Sequence, residues 1–164
     1  MRYGITIWGN ASDSYLTPLQ TLIHRAARIM TFAPYGRIDI FPLLNYLEIL
    51  DIDDIFSLET AKLVFKVKHD MIPIPLRNYF DIRDNSAHGY NLRHQRDTSQ
   101  SMIYRTRYAE KSLQYKIPFV WNDVPENLQG CETFTVFKKH FKIHLLQLQD
   151  EDPYRLESFF LFSS

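Results

Sequence analysis

Cysteine is almost missing from this chain. The one thiol in 164 residues, Cys131, excludes an internal disulfide and a cysteine-rich zinc site, and it suits a reducing compartment. Long apolar runs are missing too. No stretch approaches the roughly eighteen apolar residues of a membrane-crossing helix, so no membrane partner is expected. The opening "MRYGITIWGNASD" holds too short an apolar run, and no small-residue cleavage site, to read as a signal peptide. There is no glycine-rich phosphate loop, no G-x-S-x-G elbow and no other catalytic signature, which leaves no small-molecule substrate to argue for. No internal repeat divides the chain. Net charge is absent as well, with 19 basic and 19 acidic residues.

What is present is a folded domain's composition. Hydrophobic residues make up 45%, with twelve Phe, ten Tyr and two Trp. Rings of this kind bury large areas and usually pack inside. A chain of this mass buries roughly 70% of its unfolded surface without needing staples. The balanced charge is unevenly spread. Residues 71–116 hold eight basic and four acidic groups, whereas residues 39–70 hold three and seven. The basic middle is the compositional pointer to a polyanion partner.

The spacing of apolar residues predicts three longer helices, at about 14–31, 52–69 and 134–148. In the first, Leu16, Leu19, Leu22, Ile23, Ala26, Ala27 and Met30 form the expected buried face, with Arg25 and Arg28 opposite. Its start is read either with Asp13 as N-cap or at the capping-box pattern Thr17-Pro18-Leu19-Gln20. In the second, Ile52, Ile55, Phe56, Leu63 and Val67 point inward. Asp51, Asp53 and Asp54 meet the positive end of its dipole, and Pro73 and Pro75 close it. The third begins after Thr133 as N-cap, with Phe134, Phe137, Phe141, Leu145 and Leu148 as its stripe and Lys138, Lys139 and Lys142 facing away. "FPLLNYLEIL" reads as a short helix opening at Pro42, and "YGITIW" as a short strand from Tyr3 to Trp8, broken by Gly9-Asn10. Alternation in "YNLR" and "MIYRTRY" predicts a loose strand pair. The fold class expected is mainly α, with a small irregular β element in the middle.

Each constellation that resembles chemistry has a plainer reading. Asp51, Asp53 and Asp54 stand where paired carboxylates hold metal ions in polymerases, but they open a helical pattern and read as its cap. His140 and His144 share a helix face, without the glutamate of a zinc-protease signature or a third ligand. Cys131 precedes a helix but has no partner base and reads as a half-buried thiol. Trp121-Asn122 reads as structural. The indole anchors a turn, Asn122 or Asp123 hydrogen-bonds the following "VPENL" backbone, and Asp123-Val-Pro-Glu126 has capping-box spacing. "IPFVWNDVPENLQG", with two prolines, is expected to turn sharply. Arg93, Arg96, Arg105 and Arg107 alternate with Tyr90, Tyr104 and Tyr108. Arginines neutralise phosphates and rings stack on bases or cover sugars, so this mixture suits a nucleic-acid surface, and its plainer reading is an ordinary solvated strand.

Taken in order, several segments resemble one family. They are "YGITIWG", a helix carrying "AARIM", "FPLLNYLEIL", a helix closed at "HDMIP", "HGYNLR", "KSLQYKIPFVWNDVP" and "TFTVFKKHFKIHLL". Together they resemble the region downstream of the catalytic palm in reverse transcriptases of non-LTR (LINE-type, jockey-like) retrotransposons. The resemblance covers residues 3 to about 148.

The resemblance implies a thumb-like helical region over residues 1–75 and a C-terminal region with a loop or β segment and an amphipathic helix over 76–148. An acidic, then apolar, tail over 149–164 lies outside it. RNA and DNA are the implied partners, together with the remainder of a reverse transcriptase. Arg25, Arg28, Arg93, Arg96, Arg105 and Arg107 are the implied phosphate contacts, while Trp8, Trp121, Asn122 and Phe137 are structural. The family's magnesium belongs to palm aspartates, which match nothing in this chain. No cofactor and no catalysis are therefore expected of it, and a nuclear or cytoplasmic, intracellular location follows only if the parent's behaviour carries over. The rival readings are a helical protein-interaction module using the apolar tail "SFFLFSS", and a relic fragment with no selected function.

Overall fold

A computed structural model describes residues 2–34, 39–79 and 111–151, and these are mostly helical. In chain order the elements are α1 (Ile5–Trp8), α2 (Asp13–Thr31), α3 (Ile40–Tyr46), α4 (Ile52–Lys68), α5 (Ile74–Tyr79), α6 (Leu113–Asn122), α7 (Glu126–Gln129) and α8 (Phe134–Glu151). The three long helices stand where the periodicity predicts them. Among the described residues there is no strand. The expected β element, with "YNLR" and "MIYRTRY", lies outside the described residues. Residues up to Leu58, with those from Lys139 onward, form one compact unit, and Glu59–Lys138 form a second. The helices α4 and α8 each contribute turns to both.

In the first unit, the segment read as a strand at Tyr3–Trp8 is instead a single helical turn, α1. Its length is too short for alternation to be decisive, and burial of one residue, Ile5, fixes it. Gly4 enters at φ 65, a left-handed conformation that glycine adopts without penalty. Gly9 ends the turn because nothing larger fits. A Cβ there would lie 2.6 Å from the Ile5 carbonyl oxygen and 2.8 Å from the Phe56 ring. Trp8 is half-buried, and its indole Nε1 donates to the Tyr3 carbonyl at 2.9 Å, which ties α1 to the residues before it.

The start of α2 corrects both readings of its N-terminus, falling one residue before an Asp13 cap. Ser12 is the N-cap and Asp13 the first helical residue, so Thr17 and Pro18 lie inside the helix. The Thr17 hydroxyl donates to the Asp13 carbonyl at 2.7 Å, where the capping-box reading had it at the helix entrance. Proline at 18, in the second turn, withholds the donor that would reach the Ser14 carbonyl, and Ser14 is exposed to solvent. The buried face of α2 is also narrower than expected, and rotated. Only Leu16 and Ala27 are buried, Leu19 and Ile23 are half-buried, and Ala26, Leu22 and Met30 are exposed.

Few glycines are available, and the helix ends show the consequence. After α2, α3 and α4 the chain turns through a left-handed residue that is not glycine, namely Phe32, Glu48 and Asp70, at φ 53, 52 and 56. Each turn is closed by the long hydrogen bond of a Schellman motif. These run from Ala33 N to Arg28 O at 3.1 Å, from Ile49 N to Leu44 O at 2.9 Å, and from Met71 N to Lys66 O at 2.8 Å.

The second unit is built on rings. Phe65 of α4 stacks on Phe137 of α8, centroids 4.6 Å apart and planes at 21°. Trp121 lies against Phe137 at 6.0 Å, and Phe134 against Phe65 at 6.0 Å. Phe65, Phe137 and Trp121 are essentially buried. Pairs at these separations add to the stabilisation from area burial. The stretch "IPFVWNDVPENLQG" turns only after Asn122, between α6 and α7; its first part is α6, a helix with Pro118 inside it. Ser112 caps it by accepting from Tyr115 N at 3.3 Å, and Ile117, Pro118, Val120 and Trp121 are buried. Burial of four residues outweighs the bond that proline withholds.

Candidate functional site

Of the six arginines expected to meet phosphate, two are in view. Arg25 is on the exposed side of α2. Arg28, one turn later, is half-buried and its Nη1 donates to the Pro34 carbonyl at 3.3 Å. The two therefore differ in availability: Arg25 presents its guanidinium to solvent, while Arg28 already holds the chain that leaves α2. Arg93, Arg96, Arg105 and Arg107 lie outside the described residues.

Beside Arg25, α2 exposes an apolar row. Tyr15, Leu22 and Ile29 recur at seven-residue spacing and are 74%, 51% and 73% exposed. Pro18 and Ala26 stand between them, also exposed. The opposite side of α2 carries the buried Leu16 and Ala27 and a cluster of polar side chains.

That cluster was not legible beforehand. The Gln20 carboxamide oxygen accepts from Ile52 N at 3.1 Å, and its nitrogen donates to the Asp51 carboxylate and approaches His24 Nε2 at 2.6 Å. His24 Nε2 stands 3.5 Å from Asp51 Oδ1. From α8, Gln149 Oε1 accepts from Asp51 N at 3.3 Å. The residues before α4 are thus held from two sides. Sequence reading named Asp51 as a cap but placed Leu148 on the buried stripe of α8. The residue that is buried is Gln149, continuing Phe137, Phe141 and Leu145 at four-residue steps. The signal was that spacing; polarity concealed it.

The structural residues divide as well. Phe137 and Trp121 are core, as expected, although the Trp121 indole N–H, fully enclosed, has no hydrogen-bond partner among the described residues. Asn122 is half-buried. In the turn after α6, Gln129 Nε2 donates to the Trp121 carbonyl at 3.0 Å and to the Val124 carbonyl at 2.8 Å. The capping-box reading of Asp123–Glu126 fails because Pro125, which has no side-chain acceptor, is the N-cap of α7.

The α4 lysines are engaged locally. Lys62 pairs with Glu59 at 2.5 Å, and the ammonium groups of Lys66 and Lys68 lie 4.8 and 4.9 Å from the ring centroids of Phe134 and Trp121. Cys131 is half-buried, its Sγ 3.7 Å from the Asn127 carbonyl. His140 is exposed, and His144 lies against Phe141. Among the described residues no three His, Cys, Asp or Glu side chains gather as a metal site, and no helix is long and apolar enough to cross a membrane. Compared with protein-family models, curated proteins and solved structures, the chain matches none.

Proposed function

We propose that this chain is a non-catalytic part of a non-LTR retrotransposon reverse transcriptase, the helical region that follows the palm, and that its local role is to hold RNA–DNA template-primer. The reading rests on the ordered series of segments from "YGITIWG" to "TFTVFKKHFKIHLL". Within the described residues, one observation supports it: the solvent-facing guanidinium of Arg25 on a long helix. An arginine so placed neutralises a backbone phosphate without reading sequence. The chain itself supplies no catalytic group in this proposal; polymerisation and its magnesium belong to the palm.

Binding of this kind weakens steeply as salt rises. The test is affinity for an RNA–DNA duplex across a salt series. Replacing Arg25 with Gln is expected to flatten the slope of log affinity against log salt by about one unit, as loss of one phosphate contact does. Arg28→Gln is expected to change it less. Absence of duplex binding at about 50 mM salt, where such contacts are strongest, would sink the proposal.

A second reading is a helical protein-interaction module, and the apolar row Tyr15, Leu22 and Ile29 favours it. Sedimentation over a concentration series tests it with a second copy as the partner. Self-association abolished by Leu22→Ser supports this reading, and a monomer at every concentration counts against it.

A further inference from the structure

We infer that the exposed apolar row on α2 is a seat for this chain's own residues 159–162, drawn there by the acidic residues that precede them. The inference shares the row with the protein-interaction reading above but needs no second molecule, so the two stand or fall separately. Residues 152–164 lie outside the described residues. Their sequence and their point of attachment carry the argument.

The attachment is at the end of α8, Glu151. Two residues earlier, Gln149 is buried, its Oε1 accepting from Asp51 N at 3.3 Å and its Nε2 donating to the Ile49 carbonyl at 3.5 Å. From α2, Gln20 Oε1 accepts from Ile52 N at 3.1 Å. The end of α8 and the middle of α2 thus grip adjacent backbone amides within one compact unit. Gln20 is two residues from Leu22, the centre of the row, which is about 3 Å along the helix axis. The chain therefore leaves α8 level with the centre of the row, on the covered side of α2.

The row is within reach from there. Half the circumference of a helix about 11 Å across is roughly 17 Å. Residues 152–157 extend to about 20 Å, which sets Phe159 on the outer face. Charge favours the approach. Asp150 and Glu151 are exposed at the end of α8, and Asp152 and Glu157 follow, against one base, Arg155. On α2 from Tyr15 onward, Arg25 is the only charged residue among the exposed ones. Behind Glu157 come Phe159, Phe160, Leu161 and Phe162, four apolar side chains in succession. They match a row whose Tyr15, Leu22 and Ile29 are half or more exposed, and mutual burial of such side chains is favourable in proportion to area.

A tether this short holds the segment at an effective concentration near millimolar. A contact too weak to capture a free peptide then still forms about half the time, which favours this occupant over a separate molecule. Docking of that strength adds little to global stability, so the readout must be local.

Methyl NMR of the full chain, observing Leu22 and Ile29, is that readout. Nuclear Overhauser contacts are expected between these methyls and the phenylalanine rings of residues 159–162. The contacts are expected to vanish, and the methyl signals to shift, when Phe159→Ser and Phe160→Ser are combined, a change that touches no described residue. In Leu22→Ser, chymotrypsin is expected to clip the tail about twofold faster, as a half-docked segment becomes free. A sample mixing isotope-labelled and unlabelled chains identifies the source of the contacts. Contacts that arise only between different chains make a second copy the occupant and overturn the inference while leaving the protein-interaction reading intact. Absence of any contact in the wild-type chain overturns it, as does clipping of Leu22→Ser at the wild-type rate.

Discussion

The helices α2 and α4 have nearly the same length and opposite relations to water. Along α4, Ile52, Ile55, Phe56, Leu58, Ala61, Val64, Phe65 and Val67 are all buried, whereas α2 buries only Leu16 and Ala27 and shows Tyr15, Leu22, Ile29 and Met30 to solvent. Both have apolar residues at helical spacing. The difference lies in what surrounds them. The first turns of α4 belong to one compact unit and its later turns to the other, and each stretch holds several buried apolar residues. The partners of α2 in its own unit cover one narrow side, the side of Gln20 and His24. Amphipathic spacing therefore identifies a helix without fixing which of its apolar residues are covered.

The comparison breaks most sharply at the rings of the second unit. Phe65→Ala and Phe137→Ala each remove a fully buried ring from a stacked pair. Each is expected to cost about 3–5 kcal/mol, read as a lower urea midpoint at unchanged slope. Because the two rings touch, the double variant is expected to cost less than the sum. A loss below about 1 kcal/mol for either would mean that this stack is not the core.

Next in size is Gly9→Ala. The added methyl meets the Ile5 carbonyl at 2.6 Å and the Phe56 ring at 2.8 Å, and neither can retreat freely, because Ile5 and Phe56 are themselves buried. Overpacking of this kind costs about 1–3 kcal/mol. Thermal unfolding of the variant measures it, and an unchanged midpoint would show that α1 is not docked against Phe56.

These two effects also mark what the sequence disclosed. The three long helices, the aspartates opening α4 and the separate burial of Trp121 and Phe137 were readable, because each depends on a local pattern of spacing, capping or ring content. Three features were not. The Pro118 helix contradicts proline's usual effect, and tertiary burial of its neighbours overrides it. The Gln20–Asp51–Gln149 cluster joins residues 31 and 98 positions apart, which no local window can see. Leu22, Ala26 and Met30, expected on the buried face of α2, are exposed, since periodicity gives a stripe but not the position of the core. Of the candidate arginines, only the contrast between Arg25 and Arg28 gained content from the structure.

A smaller effect, of opposite sign, is expected where α2 ends. Phe32 is held at φ 53 with its ring 94% exposed. A non-glycine residue in that conformation bears roughly 1–2 kcal/mol of strain. Glycine removes the strain but restores roughly 0.5–1 kcal/mol of chain entropy to the unfolded state. Phe32→Gly is therefore expected to stabilise by up to about 1 kcal/mol, a gain of a few degrees in midpoint. Destabilisation would show that the exposed ring has a covering contact.

The smallest expected change is at Leu22 and Ile29, and it carries the comparison furthest. Both side chains face water in the isolated chain, so Leu22→Ser and Ile29→Ser are expected to shift stability by no more than about 0.5 kcal/mol. The same substitution at Leu58 or Val64 of α4 removes buried surface and is expected to cost several times as much. Measuring all four by urea unfolding at low protein concentration, and then at high concentration, separates two causes of exposure. If the α2 variants are silent at both, the row is solvent surface. If they lose stability only at high concentration, the wild-type row is covered by a second copy, because a partner that binds only the folded state stabilises it by mass action. A large loss at low concentration would instead mean that α2 is covered within the chain, and the contrast between the two helices would disappear.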